Sequence, residues 1–435
     1  MIKIKFIVPS WHHLHNPFLH QPYWEMYYST ILKNNLKEKK IEFELSIIDT
    51  RGNPSLVNDI EEADFFLYWI FKTADAIECF DYFNILKDKY PNSIHIAGGT
   101  HIEKSQEECS NIFDSIIVGP GENSFPLSII DHLSKKREKI YMQRWQECKF
   151  SDYPHPDRSF LPVTTIVNKE LFSPYANYNG TMTYFSRGCI YKCGFCTLNV
   201  PGYLQIRSGI KIKEEIEDLK KNYSVNAILL KDEIAIHPNK KVSTEFLESI
   251  GNSNIIWRGQ TTTQATYEQL KMAKESGCVE LAIGVETVDD EVMKIINKSW
   301  QDKKQILTFI ENAKKLNIKI KICIILGLPG ETLDIVKNTI DFIQHHEIEF
   351  VNVSGFAPLP GSPIFNDYKN YGIKFIDKDW SKHGHLLYKF SDEEDVGLPF
   401  EYEKNSKWGK TFTPQEIANN IMYLQNWLRE NNKSY

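Results

Sequence analysis

The sequence predicts an α/β protein: an N-terminal doubly wound parallel sheet, then a partial (βα)6 barrel, then a small C-terminal helical extension. Three observations predict it. Short apolar runs alternate with amphipathic stretches along most of the chain, the rhythm of parallel strands joined by crossover helices. Glycine or polar clusters follow the strand candidates, where such sheets place their ligands. The 435 residues exceed what one core holds, so two or three domains are expected.

Composition narrows the class. A 42% apolar and 25% charged chain is ordinary for a soluble globular protein. A net charge of −6, spread along the chain, offers no basic stripe for nucleic acid. No uncharged apolar run is long enough to span a membrane. Met1–Val8 alternates too strictly for a signal peptide and reads as a first strand. Of eight cysteines, three are clustered. The other five (Cys79, Cys109, Cys148, Cys278, Cys323) are scattered, as small buried apolar residues would be. That usage fits a reducing, cytoplasmic setting rather than a disulfide framework.

In the first domain, residues 1–140, strands are expected at Lys3–Val8, Phe43–Ile48, Phe65–Trp69, Ser93–Ala97 and Ser115–Val118. Helical patterns lie between them, among them Leu56–Glu61 and Cys79–Lys87. The residues just past the strands are Pro9–Trp11, Asp49–Gly52, Gly98–His101 and Gly119–Glu122. Their glycines serve tight turns or let a backbone approach a ligand. Between Trp11 and Trp24 stand four histidines (His12, His13, His15, His20) and several aromatic residues. No cysteine or carboxylate accompanies them at metal-ligand spacing. An aromatic loop facing a flat cofactor or substrate is expected, or a packing loop that leads into a helix over Tyr23–Lys33. Proline, aspartate and asparagine in 141–180 mark a linker.

The second domain, 181–357, opens on a strand-like run, Thr181–Phe185. Then comes Ser186-Arg187-Gly188-Cys189-Ile190-Tyr191-Lys192-Cys193-Gly194-Phe195-Cys196. Three thiolates in a C-x3-C-x2-C array can each take one iron of a four-iron, four-sulfur cluster and leave the fourth iron open. Structural zinc needs four protein ligands, and the nearest later histidine, His237, belongs to another strand–helix unit. Further strands are expected at Ala227–Leu230, Ile255–Trp257, Val279–Ile283, Ile318–Leu326 and Phe350–Ser354. Helices are expected at Lys211–Lys221, Tyr267–Glu275, Lys303–Leu316 and Leu333–His345, the last with Thr332 as its N-cap. Gly277 suits a left-handed helix stop. The functional residues of such an array gather at the carboxyl ends of its strands.

The cysteine array, the Gly284-Val285-Glu286-Thr287 run, the Leu326–Glu331 run and the Pro358–Ser362 run resemble the radical S-adenosylmethionine (SAM) enzymes, in the family's order. The first domain resembles the Rossmann-like, B12-binding-type domain that precedes the radical SAM barrel in one subgroup. Its Gly-Gly-Thr-His and Gly-Pro-Gly-Glu runs carry that resemblance, with Pro120 in place of a more usual acidic residue. Asp49–Gly52 lacks the cobalt-ligating histidine of many cobalamin proteins.

What the resemblance implies is specific. Cys189, Cys193 and Cys196 would hold a [4Fe-4S] cluster whose open iron chelates SAM. Asp232 and Glu233 would meet the SAM amino group and Glu286 its ribose. Gly327 and Gly330 would shape the turn against adenine, and Gln260 would face SAM or substrate. Glu286 could instead pair with a lysine such as Lys319. Arg207 could pair with the SAM carboxylate or lie on the surface. Cobalamin would sit by Gly98, Gly99, His101, Gly119, Gly121 and Glu122. The implied reaction is reductive cleavage of SAM to a 5′-deoxyadenosyl radical, then methylation of an unactivated carbon. Cyclisation, ring rearrangement and oxidation are the alternatives. The implied partners are a small-molecule or peptide substrate and an electron donor such as flavodoxin or ferredoxin. A tRNA methylthiotransferase would need a second three-cysteine set in the first domain, and Cys79, Cys109 and Cys148 do not follow that pattern. A cobalamin or SAM sensor is the non-enzymatic reading.

The C-terminal segment, 358–435, is expected to cover the substrate. It has Trp380, His383, His385 and Tyr388, an acidic run at Asp392–Asp395, and a helix over Pro414–Asn431 with Ile417, Ile421, Leu424 and Leu428 on one stripe.

Overall fold

Alternating β-branched and aromatic runs become strands because one or both faces of each can be buried. The computed structural model describes residues 1–14, 16–172, 178–197, 202–384 and 397–434. His15, part of the 141–180 linker, His385, Tyr388 and the Asp392–Asp395 run lie outside the described residues. The chain divides into two units, Met1–Pro174 and Tyr175–Tyr435.

The first unit contains β1 (Ile2–Val8), α1 (Tyr23–Glu38), β2 (Phe43–Asp49), β3 (Phe65–Trp69), α2 (Ala76–Lys89) and β4 (Ile94–Gly98). After these come α3 (Thr100–Lys104), α4 (Gln106–Ile112), β5 (Ser115–Val118), α5 (Gly121–Leu133), β6 (Ile140–Met142) and a short α6 (Val163–Ile166). The sheet order is β2-β1-β3-β4-β5-β6, all parallel. Where a helix was expected over Leu56–Glu61, residues 54–59 form a 3-10 helix begun by Pro54. The sixth strand was not expected. Ile140 and Met142 are exposed, so β6 is a half-covered edge whose apolar signal is short. In this topology the order in which strands are added to the sheet reverses between β1 and β3, and the crevice past their carboxyl ends is the natural ligand position.

The second unit repeats the logic. It contains β7 (Gly180–Thr183), a short antiparallel pair β8 (Ser186–Arg187) and β9 (Gln205–Ile206), α7 (Gly209–Tyr223), β10 (Ala227–Leu230), α8 (Lys240–Gly251) and β11 (Ile256–Thr261). Next are α9 (Tyr267–Glu275), β12 (Cys278–Glu286), α10 (Asp290–Ile295), α11 (Lys303–Lys315), β13 (Lys319–Leu326), α12 (Ile335–His345) and β14 (Phe350–Gly355). The parallel sheet runs β14-β13-β12-β11-β10-β7 and its two edge strands do not pair, so it is a partial barrel. One face is apolar: Leu281, Ile283 and Ile322 are fully buried. Amphipathic helices supply the cover; α11 buries Ile306, Phe309, Ile310 and Ala313. Each large side chain of that kind stabilises by about 1.5–3 kcal/mol.

Several boundaries differ from the sequence expectation, those of β11, β12 and α12 among them. Strand β11 runs on through Arg258–Thr261, because Thr261 Oγ1 donates to Ile236 O and keeps the segment extended. Strand β12 runs on to Glu286. Helix α12 starts at Ile335 rather than Leu333, because Ile335 N donates to Thr332 O and closes one more turn first. Gly277 does stop α9 in the left-handed region, with φ +100. The C-terminal segment holds more than a helix: α13 (Pro363–Asn366), an antiparallel pair β15 (Ile373–Ile376) and β16 (Phe400–Tyr402), a tiny hairpin β17 (Asn405–Ser406) and β18 (Gly409–Lys410), then α14 (Pro414–Glu430). A reciprocal Thr413–Glu416 capping box starts α14.

Candidate iron–sulfur and nucleotide site

The thiol loop follows β8 at the carboxyl end of the second sheet. Backbone bonds hold it from two sides: Gly194 N donates to Ile296 O (2.7 Å), and Ile364 N donates to Gly194 O (2.9 Å). Asn297 Nδ2 donates to Lys192 O (2.7 Å), and the Tyr191 ring stacks on Trp300 at 3.9 Å. Phe195 is buried, while Cys189, Cys193 and Cys196 are half-buried. Burial pushes the Cys193 thiol up to about 11 and raises Cys189 as well; the charge of Lys298 acts against both. Metal coordination reverses such a shift, because a bound thiol is deprotonated outright. Among the described residues no group of three or more His, Cys, Asp or Glu side chains is arranged to hold a metal ion. A four-iron cluster asks for a different arrangement: each thiolate takes its own iron, so the sulfurs surround a cube and not a point. The other cysteines differ. Cys79, Cys109, Cys148 and Cys278 are buried, and Cys323 is half-buried on β13.

The two carboxylates after β10 play different parts. Asp232 is fully buried; its Oδ1 accepts from Phe185 N and its Oδ2 from Ser186 Oγ, both at 2.8 Å. It therefore shapes the entry to the thiol loop. Glu233 is half-buried, and its Oε2 is enclosed with no hydrogen-bond partner. Burial raises its carboxyl to about 8, with the Gly188 N–H acting the other way, and its charge reaches Cys189. An enclosed acceptor beside the thiol loop fits a cationic ammonium.

Glu286 ends β12 in the left-handed region, with φ +66. Its Oε1 accepts from Lys298 Nζ at 2.8 Å; both side chains are nearly buried. Lys298 Nζ also donates to Gly284 O (2.7 Å) and lies 5.2 Å from the Trp300 ring centroid. An ion pair for Glu286 is thus present, but with Lys298; Lys319 instead approaches Glu349 at 3.8 Å. Sequence reasoning missed Lys298 and Trp300. Nothing local marks them, since they reach the site only because the turn after α10 packs on the thiol loop. The Gln260 side chain is exposed on β11, and Arg207 is buried, not on the surface. Gly327 N donates to Glu331 Oε2 (2.8 Å) and Tyr402 Oη donates to Gly327 O (2.8 Å), which fixes the turn after β13. Gly327 and Gly330 have φ +89 and +86, a conformation that excludes most other residues.

Buried carboxyls give the second unit a pH signature. Burial pushes Glu331, only 5% exposed, up to about 8 from an ordinary 4.5, and Asp232 up to about 7. Between those limits the folded state holds protons that the unfolded chain has released. Stability is therefore greatest below the window and is lost as pH rises through it. Urea unfolding of ligand-free protein should show lower stability at pH 8.5 than at pH 5. Glu331→Gln should flatten that slope by about 2–4 kcal/mol across the window. An unchanged slope would contradict the assignment.

In the first unit the crevice past β1 and β3 is lined by charged and aromatic groups. His13 Nδ1 lies 3.2 Å from Asp75 Oδ1, His12 Nδ1 lies 3.5 Å from Glu78 Oε2, and Lys72 Nζ lies 3.5 Å from His13 Nε2. The carboxylates that the sequence did not place beside these histidines come from the segment after β3. Arg51 is buried, pairs with Asp49 at 2.6 Å, and lies 5.4 Å from the rings of both Trp11 and Phe18. His101 is buried with Nδ1 3.3 Å from Thr73 Oγ1, and Glu122 accepts from Tyr27 Oη at 2.9 Å. The four glycines meet protein. A Cβ on Gly98 would lie 2.8 Å from Trp69, on Gly99 2.5 Å from Ile70 O, on Gly119 2.1 Å from Gln143 O, and on Gly121 2.8 Å from Tyr28. They close the packing under the crevice, and the loops they shape are what a flat cofactor would meet.

A parallel βα sheet with three thiols on one loop at its carboxyl end, and an enclosed carboxylate beside them, is the arrangement that an iron–sulfur cluster with a small cationic ligand would need. Residues 183–343 match the radical SAM superfamily. This segment is similar to radical SAM domains. The chain is 23% identical over 343 residues to bacteriochlorophyllide d C-8(2)-methyltransferase of Chlorobaculum tepidum, an alignment that covers 75% of this chain and 74% of that one. Its fold is similar to that of the radical SAM methyltransferase TsrM from Kitasatospora setae, solved with cobalamin and a [4Fe-4S] cluster bound (TM-score 0.66, 13% identity, 97% of this chain and 90% of that one). It is also similar to the cobalamin-dependent SAM radical enzyme OxsB (TM-score 0.65, 15% identity, 99% and 67%). The fold class is therefore α/β throughout, with a Rossmann-like sheet followed by a partial barrel, similar in fold to those two proteins. No helix among the described residues is long and apolar enough to cross a membrane.

Proposed function

We propose that this protein is a cobalamin-dependent radical SAM enzyme that cleaves SAM reductively and methylates an unactivated carbon of its substrate. The observation that carries the proposal is the thiol loop, three half-buried cysteines with the enclosed Glu233 oxygen beside them. When bound, the cluster supplies the electron that splits the sulfonium of SAM, and cobalamin supplies a methyl carrier. Cys189, Cys193 and Cys196 would hold the cluster. Glu233 would accept from the SAM ammonium, while Asp232 keeps the loop entry in place. Glu286, oriented by Lys298, would accept from ribose hydroxyls. The turn Gly327–Gly330 would pack on adenine. Tyr191 and Trp300, stacked on each other beside the thiol loop, would limit water there. The loops after β1, β3 and β4 would receive cobalamin, and the whole-chain likeness to two proteins solved with that cofactor supports this. A methyltransferase among the relatives supports methyl transfer as the outcome. OxsB, a cobalamin-dependent SAM radical enzyme whose name carries no methyl transfer, favours a second reading: another radical outcome, such as ring rearrangement or oxidation. The substrate would be a small molecule or peptide, the setting the reducing cytoplasm, and the electron donor a flavodoxin or ferredoxin.

The test is anaerobic reconstitution with iron, sulfide and hydroxocobalamin. Expected are about four irons per chain, retained corrin absorption bands after gel filtration, and 5′-deoxyadenosine once a reductant is added. S-Adenosylhomocysteine alongside it would mark methyl transfer. Cluster bands without corrin bands would remove cobalamin from the reading, and 5′-deoxyadenosine alone would favour the second outcome.

A further inference from the structure

The turn that follows α10 grips the thiol loop at three points. Ile296 O accepts from Gly194 N (2.7 Å), Asn297 Nδ2 donates to Lys192 O (2.7 Å), and the Trp300 ring stacks on Tyr191 with an interplanar angle of 19°. Trp300 is held from its other sides as well. Gln264 Nε2 donates to its carbonyl (2.9 Å), and Lys298 Nζ lies 5.2 Å from its ring centroid. Tyr191, the partner in the stack, stands two residues before Cys193. The indole is therefore pinned against the loop that carries the thiols.

Its N–H is the telling group. Trp300 Nε1 is enclosed, and no oxygen or nitrogen accepts from it. A buried donor without an acceptor is costly, so such a group calls for a partner. The group it acts on is the Cys193 sulfur, where it favours the thiolate. A neutral thiol is a weak acceptor, whereas a thiolate carries charge and accepts more strongly. The charged or titratable groups that reach Cys193 are Lys298, which favours the thiolate, and Glu286 and Cys189, which oppose it. Lys298 is already paired with Glu286 at 2.8 Å, so that pair brings no net charge to the sulfur. The indole N–H is the neutral donor that remains.

We propose that Trp300 donates its indole N–H to the Cys193 sulfur and so raises the potential at which the cluster on this loop accepts its electron. The inference rests on the proposed function in placing a cluster there. The reason is electrostatic. One added electron increases the negative charge shared by the sulfurs, and an N–H aimed at one of them stabilises the reduced form more than the oxidised form. A ring that only excluded water would act the other way, because it would leave the more highly charged reduced form less solvated. Loss of the donor therefore lowers the potential, and loss of mere cover raises it. The sign of the change separates the two roles.

The test uses the reconstituted full chain without SAM, titrated anaerobically with titanium(III) citrate. The ratio of reduced to oxidised cluster is read by electron paramagnetic resonance at a fixed poise. Trp300→Phe keeps an aromatic ring against Tyr191 and removes the N–H. It is expected to lower that ratio about tenfold, a downward shift of about 59 mV for one electron. Benzothienylalanine placed at position 300 exchanges only the N–H for sulfur and should reproduce the shift. Iron content and the unliganded melting temperature establish that both variants fold and hold the cluster. A second readout needs no variant: with the indole nitrogen isotopically labelled, the reduced wild-type cluster should show a magnetic coupling to that nitrogen. A potential that stays the same or rises in Trp300→Phe would overturn the inference. So would absence of the indole coupling from wild-type protein, even if both variants failed to hold iron. Wild-type protein that holds no iron would instead strike the proposed function, so the two failures are distinguishable.

Discussion

Replacing Cys193 by alanine is expected to drop iron from about four per chain to below one and to abolish 5′-deoxyadenosine formation. The reason is geometric. Three protein thiolates are the entire donor set on the loop, so loss of one leaves two of four irons without a protein ligand. Cys189→Ala and Cys196→Ala should behave alike, because each sulfur serves its own iron. Cys323→Ala is the control, since its thiol lies on a strand and not on the loop. Anaerobic iron analysis and product chromatography check all four variants. Retention of SAM cleavage by any member of the trio would refute the assignment. The fold should survive, because the loop's backbone bonds to Ile296 and Ile364 do not involve the thiols.

Gly119→Ala is expected to destabilise the first unit by about 3–5 kcal/mol, whether or not cobalamin is supplied. Gly119 has φ +94, where a non-glycine residue costs about 1–3 kcal/mol. Its new Cβ would also fall 2.1 Å from Gln143 O, a backbone atom that cannot swing aside. Overpacking of that kind adds about 1–3 kcal/mol more. Gly99→Ala, with φ +112 and Ile70 O at 2.5 Å, should be comparably damaging. Denaturant unfolding separates this from a pure cofactor effect. Unchanged stability together with lost corrin binding would return these glycines to the direct cofactor contact that their motif resembles.

The local pattern decided much of this protein. Apolar runs of four to eight residues, ended by glycine or polar clusters, placed nine of the twelve strands in the two large sheets to within about two residues, and β11 and β12 were begun correctly but cut short. That success has a simple cause: a strand buried on its faces must be apolar along its length. The thiol loop was legible because ligand spacing on one short loop is itself a sequence property. Helix ends marked by Gly277 and Pro414 were legible for the same reason, since each residue's own backbone limits fix the end. Edge strand β6 was not, because an exposed edge needs no strong apolar code.

Tertiary structure alone decided who meets whom. Glu286 found Lys298, twelve residues on, instead of Lys319, because the turn after α10 folds back over β12. Asp75 and Glu78 came to the histidines of the first loop from another strand's end, so no spacing rule could have paired them. Adjacent carboxylates Asp232 and Glu233 have different surroundings: Asp232 accepts from Phe185 N and Ser186 Oγ, while Glu233 Oε2 is enclosed with no hydrogen-bond partner. Periodicity is written along the chain; proximity across it is fixed by packing, and the chemistry of this site depends on both.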